Sequence, residues 1–188
     1  ARLTTAEEIY ARREAYSAEV PDGVLALTMG VDTQDNRLEF EIIGWGRENE
    51  NWRIMRGVIP GRPDDESRAV WKELDKLLDR KFKRLDGKSM RILTTFVDSG
   101  GHCTETVYRE CARRAARRVF AVKGEGGEGK EYVRMSSRMK KEKGIFLFII
   151  GVDSGKERIA YSLNVKQAGA WYSHFPAAPE AGYTLSAI

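Results

Sequence analysis

The sequence predicts an α/β fold on one mixed sheet: a three-strand antiparallel meander, then parallel strands, with flanking helices. Three observations carry that expectation. Residues 24–31 form an almost continuous apolar run, the pattern of a strand buried on both faces. Residues 37–45 alternate instead, with Leu38, Phe40 and Ile42 on one side and Arg37, Glu39 and Glu41 on the other, as a half-exposed strand does. Later apolar runs at 92–97, 119–122 and 145–152 are separated by helical or polar stretches. A strand reached through a helix favours a parallel crossover.

The remaining elements follow in order. Residues 4–18 read as a helix, opened by Thr5 and Glu8 at capping-box spacing and stopped by Pro21, Asp22 and Gly23. Residues 1–20 are therefore expected to be a linker helix ahead of a domain over 21–188. Trp52, Ile54 and Val58 mark a third strand, turned back on the second by the polar residues 47–51. Pro63, Asp64, Asp65 and Glu66 predict a helix start, with Val70, Leu74, Leu77, Leu78 and Phe82 as its buried stripe. A second helix is expected over 104–117, with Val107, Tyr108, Cys111 and Ala115 inward. Residues 124–144 read as a mobile, glycine-rich basic loop, and 156–163 as a short helix. The order β-β-β-α-β-α-β describes a ribonuclease H-like sheet, in which the first and fourth strands lie side by side about 4.8 Å apart.

Composition sets the bounds. With 188 residues and 41% apolar content, one domain can bury a proper core. No apolar run reaches 18 residues and no secretory signal pattern opens the chain, so a cytoplasmic protein with no membrane partner is expected. Cys103 and Cys111 form no CxxC or Cys/His cluster, which argues against structural zinc or a disulfide framework and for reduced packing residues. Residues 113–144 hold eleven Lys and Arg against four Glu, a local excess of +7, leaving −3 elsewhere in a chain of net charge +4. Such asymmetry suits a polyanion, although a solvated helix face and loop would look alike.

Three apolar runs end in Val-Asp followed by Thr or Ser: MGVDTQD (29–35), FVDSGG (96–101) and GVDSGKE (151–157). An aspartate at the mouth of a buried strand costs desolvation energy unless it has a partner. Asp32 has no following helix to cap, whereas Asp98 either caps the next helix or binds a cation. On adjacent parallel strands the two can hold divalent ions, and a pair of ions about 3.5–4 Å apart clamps the attacking and leaving oxygens of a phosphodiester. Oxygen ligands favour two Mg²⁺ or Mn²⁺ ions. Asp153 reads as a natural N-cap with Ser154, and as a further candidate ligand with Glu157. His102 is either an auxiliary group that orients water or phosphate or a surface histidine. His174, among aromatics, is expected to be packed. Residues 124–130 satisfy both GxGxxG and GxxxxGK, but Glu131 stands where a phosphate loop needs Ser or Thr. A loop whose basic half contacts DNA backbone fits better. Candidate DNA contacts are Arg113, Arg114, Arg117, Lys130, Arg138, Lys140 and Lys141.

Six stretches in order, EVPDGVLALTMGVDTQDNRLEFEIIGWG (19–46), ENWRIMRGVIPG (50–61), FVDSGGHCTETVYREC (96–111), RVFAVKG (118–124), LFIIGVDSGKERIAYSL (147–163) and SHFP (173–176), resemble the nuclease domain of the large terminase subunit of lambda-like tailed phages. The resemblance implies a ribonuclease H-like fold and metal-dependent endonucleolytic cutting of concatemeric viral DNA at packaging, in the host cytoplasm. It makes Asp32 the first metal ligand and Asp98 the second. It also implies double-stranded DNA, a separate ATPase domain, a small terminase subunit and a portal or procapsid as partners. By the family pattern the ATPase domain is absent here, and a further acidic residue would follow past residue 188. Two rivals stand: an actin- or sugar-kinase-like nucleotide binder, suggested by GVDTQ and VDSGG, and a non-catalytic DNA- or portal-docking module.

Overall fold

A computed structural model describes residues 4–136 and 145–188. Its frame is an eight-stranded sheet, ordered across as residues 173–174, 51–60, 37–45, 26–34, 92–98, 119–125, 147–151 and 133–135. The opening meander comprises β1 (Ala26–Gln34), β2 (Arg37–Trp45) and β3 (Asn51–Pro60), paired antiparallel in sequence. A two-residue turn at Asp35 and Asn36 sets the first register, so that Gln34 faces Arg37 and Asp32 faces Glu39. Then come α2 (Ala69–Asp79), the small ribbon of β4 (Phe82–Lys83) with β5 (Ser89–Met90), and β6 (Ile92–Asp98). Strand β6 lies parallel to β1, as expected. After α3 (Thr104–Arg113), β7 (Val119–Glu125) extends the parallel set and β9 (Leu147–Gly151) closes it, with β8 (Val133–Met135) antiparallel at the edge. Helix α4 (Val152–Asn164) and β10 (Ser173–His174), parallel to the start of β3, complete the chain.

One face of the sheet makes the core. Leu27, Met29, Val31, Leu38, Ile42, Val97 and Ala121 are buried with Val70, Trp71, Leu74 and Leu78 of α2 and Val107 and Cys111 of α3. Each fully buried side chain of this size contributes about 1.5–3 kcal/mol. Both cysteines are free, and burial pushes the Cys111 thiol up to about 12.

Local signals were overruled where tertiary contacts were stronger. The capping box of Thr5 and Glu8 is present, but α1 covers only Ala6–Ala11. Beyond it the backbone of Glu14 bonds to Phe175 and Ala177, and the Tyr16 hydroxyl donates to the Arg53 carbonyl, so the chain runs extended. Ile9 is buried with Phe175, Ala181 and Tyr183, and Val20 lies in the main core. The acidic start expected at Pro63 is a turn instead. Asp64 is held by Arg62, Asp65 by Ser67, and α2 begins after Arg68 in the left-handed region. The second helix ends at Arg113 and a 3₁₀ turn (Ala115–Arg117) follows. The glycine-rich stretch expected as a loop contains the end of β7 and all of β8, while 137–144 lie outside the described residues. The last helix starts at Val152, earlier than its expected position, because Gly151 is its N-cap.

The two core helices are locked by charge. Glu110, 1% exposed, receives two hydrogen bonds from Arg68 and one each from Arg113 and Arg114 side chains. Arg114 also forks onto Asp75 of α2. Burial alone would raise the Glu110 carboxyl, but the hydrogen bonds from Arg68 and Arg114 outweigh it and hold it below the ordinary glutamate value. A depressed carboxyl stabilises the fold above its unfolded value of about 4.3. That share is lost as pH falls through the lower folded value. Glu110→Ala should cost about 3–5 kcal/mol in urea denaturation at neutral pH, because it takes from the buried Arg114 one of its two carboxylate partners. The variant should also lose less stability than the parent on acidification below about pH 4.

Candidate functional site

The carboxyl ends of β1 and β6 meet at the middle of the sheet. Val31 and Val97 are Cα partners in a parallel ladder, so Asp32 and Asp98 are the next residues outward on strands about 4.8 Å apart. Alternation turns both away from the helix-covered face, on the side of Gly30 and Phe96. Asp32 is exposed and accepts a 2.5 Å hydrogen bond from the Gln34 amide, whereas Asp98 is half-buried and accepts one of 2.9 Å from the Gly100 backbone N–H. Ser99 explains the local sequence. Its backbone N–H and hydroxyl both donate to the Val122 carbonyl at 2.8 Å, pinning β6 to β7 where the chain turns toward α3.

Two concavities meet at this pair. A cleft of about 680 Å³ is lined by Gly30, Asp32, Glu39, Glu41, Arg56 and Asp98, with Phe96, Val122 and Ile150 as an apolar part of its wall. A smaller hollow of about 330 Å³, on the loop side, brings Asp32 and Asp98 together with Asp35 and His102. There the His102 ring nitrogen Nδ1 lies 3.1 Å from Asp35 Oδ1, both side chains being well exposed. An apolar wall lowers the local dielectric and strengthens attraction between carboxylates and a cation. Hard oxygen donors that leave positions open to phosphate match Mg²⁺ or Mn²⁺, which bind through one or two carboxylates plus substrate. Among the described residues, no group of three or more His, Cys, Asp and Glu comes together as a ready-made metal site.

The other expected residues lie elsewhere. Asp153 is not an N-cap: it stands in the first turn of α4, where its carboxylate accepts from the Gly127 backbone N–H at 2.9 Å and ties the glycine-rich loop to the helix. Asp153 and the exposed Glu157 line neither concavity. Arg114 is buried and committed to Asp75 and Glu110, which leaves no guanidinium edge for a phosphate. Arg113 pairs with Glu110, Arg117 with Asp75 and Asp79, and Lys130 with Glu125. Arg113, Arg114 and Arg117 precede β7, whose first residue Val119 sits beside Thr95, three residues upstream of Asp98. They therefore cluster toward the opposite end of the strands. Arg138, Lys140 and Lys141 lie outside the described residues. His174 is packed, stacked on Trp52 with its two nitrogens 2.7 and 2.8 Å from Glu14 and Glu50. Sequence reasoning missed Glu39, Asp35 and Arg56. The signal for Glu39 was the two-residue turn, which obliges residue 39 to face residue 32.

Comparison with protein families matches residues 1–185 to the endonuclease domain of the terminase large subunit gpA. The chain belongs to this family. Consistent with it, the terminase nuclease domain described here is 35% identical over 179 residues to the terminase large subunit of Escherichia phage lambda, covering 93% of this chain and 28% of that protein. It is 32% identical over 170 residues to the terminase large subunit of Enterobacteria phage P21, covering 88% of this chain and 26% of that one. The chain thus spans about a quarter of the length of these relatives. No solved structure matches it. No described helix of this terminase domain is long and apolar enough to cross a membrane.

Gly30 keeps the cleft open, since a Cβ there meets nothing within 4 Å. Gly30→Val should therefore leave the unfolding free energy within about 1 kcal/mol of the parent while its methyl groups enter the space beside Asp32. Urea denaturation of the variant beside the parent should show stability kept.

Proposed function

We propose that this domain is the metal-dependent DNA endonuclease of a viral terminase large subunit, cutting concatemeric DNA during genome packaging by two-metal phosphodiester hydrolysis. The observation that carries the reading is the parallel register of β1 and β6, which sets Asp32 beside Asp98 at one wall of an open cleft. Family membership supplies the nuclease class.

Asp32 and Asp98 would hold Mg²⁺ or Mn²⁺, which when bound supplies Lewis-acid stabilisation of charge on the attacking and leaving oxygens. The chain's own part is positional. Gln34 and the Gly100 N–H orient the two carboxylates. Arg56, on the cleft wall, offers a cation to backbone phosphate. Glu39, the cross-strand partner of Asp32, adds negative charge that favours a second cation. Double-stranded DNA, the ATPase portion of the full chain, the small terminase subunit and the portal or procapsid are the partners this reading requires, with the host cytoplasm as its setting. Asp153 and Glu157 are not needed as ligands in it.

Asp32→Asn and Asp98→Asn in the full-length chain should each abolish Mn²⁺-dependent nicking of plasmid DNA, while DNA affinity in chelator stays equal or rises because carboxylate repulsion of phosphate falls. Nicking that survives both substitutions would overturn the assignment.

A further inference from the structure

The cleft at Asp32 and Asp98 does not end at Glu41. That residue also forms the near wall of a second groove of about 580 Å³ on the same sheet face, lined by Trp45, Arg53, Tyr132, Arg158 and Trp171. Glu39, Glu41, Ile43 and Trp45 alternate along one side of β2, so the path from Asp32's neighbour to Trp45 runs about 20 Å along one strand. The far wall is aromatic and basic. The Arg158 guanidinium lies 4.4 Å from the Tyr132 ring centroid and 6.0 Å from that of Trp171, with Tyr161 edge-on to Trp171 at 5.5 Å. Arg158 has no ion pair among the described residues. In the floor, the Arg53 Nε is buried without a hydrogen-bond partner, although its guanidinium approaches Glu41 at 3.8 Å.

We infer that this second groove binds an unpaired DNA strand that continues from the cleft. The inference rests on the reading of the cleft as a DNA site. Its chemistry is that of single-strand recognition: flat rings on which a base can stack, and a free arginine beside them for the backbone phosphate. A duplex would not present base faces to Tyr132 and Trp171. The arginines expected from the sequence as DNA contacts near α3 are tied up in ion pairs, whereas Arg158 is exposed and free of one.

The test uses the full-length chain in chelator, so that no cutting occurs, with a fluorescein-labelled oligothymidylate and a blunt duplex of equal length read by anisotropy. Tyr132 and Arg158 are both exposed, so Tyr132→Ser and Arg158→Glu should fold, which thermal melting checks. Each substitution is expected to weaken oligothymidylate binding by about tenfold or more and to change duplex binding much less. Equal affinity of parent and both variants for the single strand overturns the inference, as does an equal loss for single strand and duplex. The two readings fail separately. Loss of nicking on Asp32→Asn with unchanged single-strand affinities for the Tyr132 and Arg158 variants would remove the groove and leave the nuclease. A parent that binds the single strand through Tyr132 and Arg158 but never nicks with Mn²⁺ would do the reverse.

Discussion

The parallel pairing of β1 with β6 is the constraint on which the rest of the molecule depends. Two acidic side chains separated by 66 positions reach the same place only because Thr28–Val31 and Thr94–Val97 run in register after an irregularity at Leu27. A slip of one residue would turn Asp98 to the helix side and put Val97 in its place. The apolar run of β1 enforces the register from one face, through Met29 and Val31 against α2 and α3. On the other side of β6, Ser99 fixes that strand against β7 through two hydrogen bonds to one carbonyl.

The helix layer that sets this register is itself fixed by buried charge rather than by packing alone. Arg114, Glu110 and Asp75 join α3 to α2 in one network. Buried pairs of this kind add little net stability but make the alternatives expensive. The basic stretch that opens at Arg113 therefore divides by environment. Its helical part is structural, and its composition gave no sign of that, because charge counts carry no information about which carboxylates lie across the interface.

The order and type of the main strands were legible in the sequence because periodicity reports burial directly. Alternation in 37–45 follows from one covered face, whereas the continuity of 24–31 predicts burial on both faces and the run is buried on one: Val24, Leu27, Met29 and Val31 are in the core while Leu25 and Gly30 are exposed. The pairing of Asp32 with Asp98 followed from topology, since an antiparallel meander and one crossover leave those strand ends adjacent. Helix boundaries were less legible. Pro63 to Glu66 has the chemistry of a helix start, but Asp64 and Asp65 spend their carboxylates on Arg62 and Ser67 in a turn. Asp153 has the chemistry of a cap but serves the loop at Gly127. Glu39 was hidden because a charged residue on the outer side of an alternating strand looks the same whether it faces water or a second carboxylate.

The outer margin of β3 has a consequence for association. Strand β10 covers only Asn51 and Trp52, yet the Arg53 carbonyl is taken by Tyr16, and Gly182 lies so close to the Arg56 carbonyl that a side chain there would collide with it. A chain segment from each terminus thus caps what would otherwise be a bare row of amide groups. Copies of the domain cannot zip together through this border by strand addition, so any assembly there has to be made through side chains.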